Sequence, residues 1–360
     1  MKPRSCSRSR SSQRGDLFVL LAAVLCVVGV TLVPDWERRL HAQSYGGIPG
    51  DVDRSASEQD RKVIEEQLKP TYGKLSLRRG FFLTLHRDTL DIHDDRGPEQ
   101  SFRKVDSRQP GFLAGFDYQY TEDLLLGWSV GFDDAHADID QAGTKIQTTN
   151  TYTYRFGPYA RYQGAEPWYV YSILLADVLD LRNRRHGVEG LVKSDTSGAQ
   201  LDASVGGGYD FNLARLRFGP IASVEYRGVW VSGYTEKGDF VDRLKVDGLT
   251  LQEIELRFGG EATYSIPLQS WMIVPDIRLV GGYEDFFDDG PSTFSTVGCV
   301  DSSCRQRAPV ITPGRFLMEL GAGLGFVLPD HWICSVNYHD TFFQDRTDQS
   351  GVSISLRKQF

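Results

Sequence analysis

After residue 42 the sequence has no apolar run approaching the roughly 18 residues that a membrane helix requires. Any membrane-embedded part must then cross as a closed barrel, because only helices and barrels satisfy their backbone groups in lipid. Positive charge is not in excess: the formal net charge is -8, with Lys and Arg scattered rather than striped, which excludes nucleic acid as a partner. Methionine is nearly absent at 3, beside 16 Tyr, 20 Phe and 37 Gly, a balance that favours strands and tight turns over helical bundles. No nucleophile motif stands out. His339 and Asp340 are adjacent and so point to opposite faces of one strand, and Ser335 is on the same strand as His339 rather than across from it. No enzyme, cofactor or metal is expected.

The N-terminus is built for export. Lys2, Arg4, Arg8, Arg10 and Arg14 precede an apolar run from Leu17 to Val33, and Leu40-His41-Ala42 stands before Gln43, so residues 1–42 read as a signal peptide cleaved after Ala42. The length of the run keeps an uncleaved inner-membrane anchor as the alternative. Ala23-Val24-Leu25 lacks the small residue beside Cys26 that lipoprotein processing needs. Residues 43–73 come next: Ser44 to Gly50 as a spacer, Ser55-Ala56-Ser57-Glu58 as a capping box, and Glu58 to Lys69 as a short helix ended by Pro70. The pairs Glu58/Lys62 and Lys62/Glu66 support it, but only Val63, Ile64 and Leu68 are apolar. Such a helix either sits in a water-lined cavity or frays.

From residue 74 to 360 the spacing predicts twelve strands: 75–86, 111–120, 124–137, 148–163, 167–183, 196–211, 214–231, 249–266, 271–284, 314–328, 331–343 and 350–360. Connections of a few residues (121–123, 164–166, 212–213, 267–270, 329–330) alternate without exception with longer ones (87–110, 138–147, 184–195, 232–248, 285–313, 344–349). An even strand count with alternating short turns and long loops is the pattern of an all-β antiparallel transmembrane barrel, and a soluble sandwich has no reason to adopt it.

The two faces agree. Leu201, Ala203, Val205, Tyr209 and Phe211 alternate with Asp202, Ser204, Gly206, Gly208 and Asp210, and the neighbouring runs repeat the pattern. Aromatics flank nearly every short turn: Tyr118 and Tyr120, Tyr162 and Trp168, Tyr209 and Phe211, Tyr264 and Trp271, Phe326 and Trp332, and finally Phe360. That is a girdle at one membrane interface, with Trp128, Tyr154, Trp230, Tyr283 and Tyr338 as candidates for the other. The inward face carries Asp117, Asp133, Asp202, Asp210, Glu225, Glu255, Glu261, Asp276 and Glu319 beside Arg155, Arg161, Arg217, Arg227, Arg257, Arg278, Arg315 and Arg357. Nine acids and eight arginines predict a hydrated, near-balanced lumen with cross-strand ion pairs. The closing strand puts Val352, Ile354, Leu356, Lys358 and Phe360 on one face.

From about Leu75 onward the chain resembles the autotransporter β-domain, the translocator barrel of type V secretion. The resemblance rests on Gly115-Phe116-Asp117-Tyr118, Leu126-Gly127-Trp128-Ser129-Val130-Gly131, Gly206-Gly207-Gly208-Tyr209-Asp210-Phe211, Leu256-Arg257-Phe258-Gly259-Gly260-Glu261-Ala262, Leu320-Gly321-Ala322-Gly323-Leu324 and the terminal Phe360, in that order. It implies an outer-membrane location, contact with lipid, insertion by the β-barrel assembly machinery with Phe360 as the signal, and a helix threaded into the lumen as a plug. A monomer is expected. Two departures stand out: Lys358 where the family has an aromatic, and only about thirty residues between signal and barrel, where autotransporters carry a passenger. The expected role is a structural or pore-forming surface protein without a passenger; a translocator of a very short N-terminal segment and an outer-membrane hydrolase are the alternatives. Two cysteines as close as Cys299 and Cys304 in an external loop of an exported protein predict a disulfide, leaving Cys334 unpaired on the lipid face. The acidic runs at Asp91, His93, Asp94 and Asp95 and at Glu284, Asp285, Asp288 and Asp289 read as solvated loop charge rather than Ca²⁺ ligands.

Overall fold

The computed structural model describes residues 50–68, 79–94, 103–141, 144–164, 167–186, 190–238, 243–288, 292–297, 305–308, 316–343 and 347–360. The expected signal peptide, Cys299, Cys304 and Arg315 lie outside the described residues. One helix, α1 (Gly50–Leu68), precedes twelve barrel strands. These are β1 (Arg79–Asp94), β2 (Arg103–Gln119), β3 (Leu124–Gln141), β4 (Thr144–Gln163), β5 (Trp168–His186), β6 (Leu191–Tyr209), β7 (Leu216–Val231), β8 (Leu249–Tyr264), β9 (Met272–Asp288), β10 (Phe316–Leu328), β11 (Trp332–Phe342) and β12 (Thr347–Gln359). Each pairs antiparallel with the next, and β12 closes on β1, with Gln359 opposite Gly80 and Thr347 opposite Ile92. Closure leaves the barrel without an edge strand.

All twelve expected strands are present, but several reach further than the sequence spacing predicts. β1 continues to Asp94 and β2 starts at Arg103, inside what reads as a loop over 87–110. The cause is a change of phase. Up to Leu85, Phe112, Phe132 and Tyr154 the outward face is apolar, while the inward face mixes polar residues such as Thr84 and His86 with Phe82 and Leu113; beyond them Arg87, Arg108 and His136 face outward, while Leu90, Ile92, Val105, Ala135, Ala137 and Ile139 form a buried inner cluster. A second inner cluster, Leu179, Leu181, Val229, Val231 and Leu249, does the same on the opposite wall. The strands leave lipid and enter water without stopping, so the period of two persists and the inner face stays buried, while the outward face changes from apolar to polar. The long connections also carry a small four-stranded sheet of Tyr234–Thr235, Leu244–Val246, Ser292–Thr296 and Arg305–Ala308.

Within the belt the outward face is apolar: Phe81, Leu83, Phe116, Val130, Phe156, Leu256, Phe258, Leu320, Ile354 and Leu356 are all exposed. At the short-turn end the girdle aromatics pair up, Tyr162 with Trp168 at 5.5 Å, Tyr209 with Phe211 at 4.8 Å and Trp271 with Phe326 at 6.1 Å between ring centroids. Trp128, a far-girdle candidate from the sequence, is instead paired with Phe116 near the start of a strand that begins at Leu124, on the short-turn side. Lys358, the departure from the family pattern, places its ammonium 4.8 Å from the Trp332 ring and 6.0 Å from that of Phe360, and donates to the Asp330 carbonyl. The charge is thus absorbed by the girdle it interrupts.

Candidate functional site: the helix-filled lumen

Helix α1 lies inside the barrel, in contact with β1 to β5 and β12. It starts at Gly50, so Ser55 falls inside the helix rather than at its cap; extending a helix that is already nucleated costs little. Glu58, Gln59, Asp60, Arg61, Lys62, Val63, Ile64, Glu65 and Leu68 are all buried. Burying so polar a helix is tenable only where every charge meets a partner.

One side of α1 is apolar. Val63, Ile64 and Leu68 pack with Phe82, Leu113, Tyr159, Tyr169, Tyr171, Ile173 and Leu175, which face inward from β1, β2, β4 and β5. The family-like glycines make room for these rings: a Cβ at Gly115 would meet the Phe82 ring at 2.3 Å, and one at Gly127 the Tyr159 ring at 2.1 Å. Full burial of Ile64 and its two apolar neighbours contributes up to about 1.5–3 kcal/mol each.

The other side of α1 is tied to the wall by ion pairs. Asp60 meets Arg155, which also binds Asp177 through two bonds of 2.8 and 2.7 Å and reaches Asp133 at 3.3 Å. His86 lies between Asp133, at 2.6 Å from Nε2, and Asp60, at 3.5 Å from Nδ1. Arg61 bridges Glu65 at 2.6 Å and Glu225. Lys62 bridges Glu58 at 3.0 Å and Glu319 at 2.8 Å. Arg257 binds Glu58 at 2.5 Å and also contacts Glu255, Glu319 and Glu225. Lower down, Glu65 meets Arg278 at 2.9 Å, Gln67 meets Arg357 at 3.3 Å, and the Leu68 carbonyl accepts from Arg161. Arg357 in turn grips Asp117 through two bonds of 2.8 and 2.7 Å, and Arg227 links Asp202 with Glu253.

The expected lumen residues among those described therefore face one space, and many of them hold the helix rather than line open water. Glu261 accepts from Tyr169, Asp210 is near Arg217 at 3.8 Å, and Asp276 is half-buried. The wall also carries buried Asp88, Asp177, Glu253 and Glu284, so it is more acidic than the near-balance read from the sequence. Glu284 is a buried strand residue rather than loop charge, and Asp91 is on β1, because the strands run past the expected boundaries. His86 and Asp88 were legible in principle, since they share parity with Phe82 and Thr84, but only once the first strand is placed correctly.

Among the described residues one group, Asp60, His86 and Asp133, brings three metal-ligating atoms within 4.8 Å of one another, and the Arg155 guanidinium already rests on both carboxylates. His339 is buried facing Asp88 at 3.6 Å, with Asp340 on the other face and Ser335 hydrogen-bonded to Asn337. Cys334 is a free thiol on the same face as Val336 and Tyr338, toward lipid.

The closed twelve-stranded barrel holds α1 in its lumen, and the family profile of the autotransporter beta-domain matches residues 90–339. The chain belongs to the autotransporter β-domain family. The translocator domain of the autotransporter NalP from Neisseria meningitidis is similar in fold, with a TM-score of 0.65 at 11% identity, covering 86% of this chain and 97% of that one. So are the transport unit of AIDA-I from Escherichia coli, with a TM-score of 0.56, 14% identity and 85% and 98% coverage, and the β-domain of Bordetella BrkA, with 0.54, 20% and 79% and 100%. No curated protein matches the chain in sequence. As an autotransporter β-domain, the protein resides in the outer membrane, its short turns periplasmic and its long connections external.

Proposed function

We propose that this autotransporter β-domain acts as a structural or pore-forming surface protein whose lumen is closed by its own helix. The observation that carries the reading is the density of contacts between α1 and the wall: Asp60, Arg61, Lys62, Glu58 and Glu65 each meet a wall residue, and Val63, Ile64 and Leu68 fill the remaining sector. Conductance in planar bilayers tests it. The intact protein is expected to be nearly silent and a chain lacking residues 44–70 to conduct; equal conductance would remove the plug from the account.

A second reading, translocation of the short segment ahead of α1, is favoured by the direction of the helix. Its C-terminal end, at Leu68, is at the level of Arg161 and Arg357 near the periplasmic turns, while Asp60 is at the level of His86 and Asp133 further out. The N-terminal end of α1 thus points to the external side. An epitope placed there and probed on intact cells separates a displayed segment from a simple plug.

We read no catalysis from the site: the inward His339 faces Asp88, not an activated hydroxyl. A lipase and protease screen of the refolded barrel checks this. Insertion by the β-barrel assembly machinery through Phe360, and a monomeric state, complete the proposal, since the apolar belt and girdle run around the ring.

A further inference from the structure

The change of phase on β1 to β4 marks where the barrel leaves the hydrocarbon. The last apolar row is Leu85, Phe112, Phe132 and Tyr154, side by side on neighbouring strands. Immediately beyond it the outward face holds Arg87 opposite Pro110, then Arg108 opposite His136, itself opposite Asn150. The ladder is broken here. Arg108 pairs with His136 and the next pair is Gly111 with Asp133, because Pro110 has no N–H to donate. The gap opens a cleft of about 360 Å³ lined by Arg87, Arg108, His136, Asn150, Tyr152 and Asp134 around Pro110.

Its chemistry is specific. Arg87 and Arg108 are exposed, and neither guanidinium has an ion-pair partner among the described residues. Guanidinium forks match phosphate oxygens. The His136 ring is held by Asn150 at 2.6 Å, and Tyr152 is capped on its far side by Arg182 at 4.9 Å, so the walls of the cleft are fixed. Tyr152 also stacks on Phe132, 6.5 Å between centroids, which joins the cleft to the apolar row below.

We propose that this cleft binds the phosphorylated sugar headgroup of an outer-leaflet glycolipid. Arg87 and Arg108 take the phosphate, Asp134 and Asn150 take sugar hydroxyls, and the acyl chains descend along Leu85, Phe112 and Phe132. Neither the lumen nor the plug takes part.

The test uses the full-length protein in nanodiscs of phosphatidylcholine doped with lipid A, a phosphorylated disaccharide lipid, or with its dephosphorylated form. Retained lipid is counted by native mass spectrometry. Phosphorylated lipid A is expected to be retained about tenfold or more over the dephosphorylated form, and the Arg87→Gln/Arg108→Gln variant to abolish that preference, while Arg184→Gln, at an exposed arginine of β5 outside the cleft, keeps it. Equal retention of the two lipids by the native protein overturns the proposal, whether or not the variant folds. So does displacement by millimolar inorganic phosphate, which would mark a free-anion site. Heat-modifiable mobility of the variant confirms an intact barrel, and a folded variant that keeps the preference overturns the assignment to these two arginines.

Discussion

Replacing Asp60 with Asn isolates the grip of the wall on the helix. The side chain keeps its shape and loses its charge, so Arg155 and His86 lose a carboxylate partner on α1 while the barrel loses little. Arg155 remains anchored by Asp177 at 2.7 and 2.8 Å and by Asp133 at 3.3 Å, and His86 by Asp133 at 2.6 Å. A hydrogen bond to a charged partner contributes roughly 1.5–3 kcal/mol, so the docked helix should be weakened by about 2 kcal/mol, a shift of about 30-fold toward the undocked state. Single-channel recording reads this as a rise in open-time fraction of the same order, with the heat-modifiable mobility of the barrel unchanged. Asp60→Asn combined with Ile64→Ala, which empties a fully buried apolar position at a cost of about 2–5 kcal/mol, should open the pore further. If Asp60→Asn leaves the channel as silent as the native protein while the double variant also stays closed, these contacts do not hold the plug. If it lowers barrel stability instead, the aspartate serves the wall and not the helix.

Other outcomes follow from the same contacts. Gly219→Ala should cost about 1–3 kcal/mol of barrel stability, because its Cβ would lie 1.6 Å from the Tyr209 carbonyl oxygen, which is backbone; Gly260→Ala, whose nearest neighbour is 3.5 Å away, should be neutral, and guanidinium melts compare them. In lipid, Cys334 should react with a membrane-permeant maleimide and resist a charged one, and reaction with both would move it off the lipid face. Counting thiols in the denatured mature chain tests the proposed Cys299–Cys304 disulfide: only Cys334 should be free without reductant. Deleting Phe360 should reduce the heat-modifiable fraction in cells while purified protein still refolds in detergent, which separates recognition during insertion from stability.

The sequence alone carried the architecture. A membrane strand must alternate, and turns must be short where the chain is tucked under the membrane, so Leu201 to Phe211, the five short connections and the aromatics beside them fix strand number, location and family resemblance. The helix at Val63, Ile64 and Leu68 was legible as well, as a segment too polar to stand alone. What holds it was not. Asp60 meets Arg155 across 95 residues and Glu58 meets Arg257 across 199, and no local pattern records which of many inward charges lie at the same depth of a closed ring. The reversal beyond Leu85 and Phe112 was hidden for a related reason: an alternating strand reads the same whether its apolar face meets lipid or the barrel interior. Only closure of β12 on β1, which sets the depth of every residue, decides where lipid ends and which side chains share the lumen.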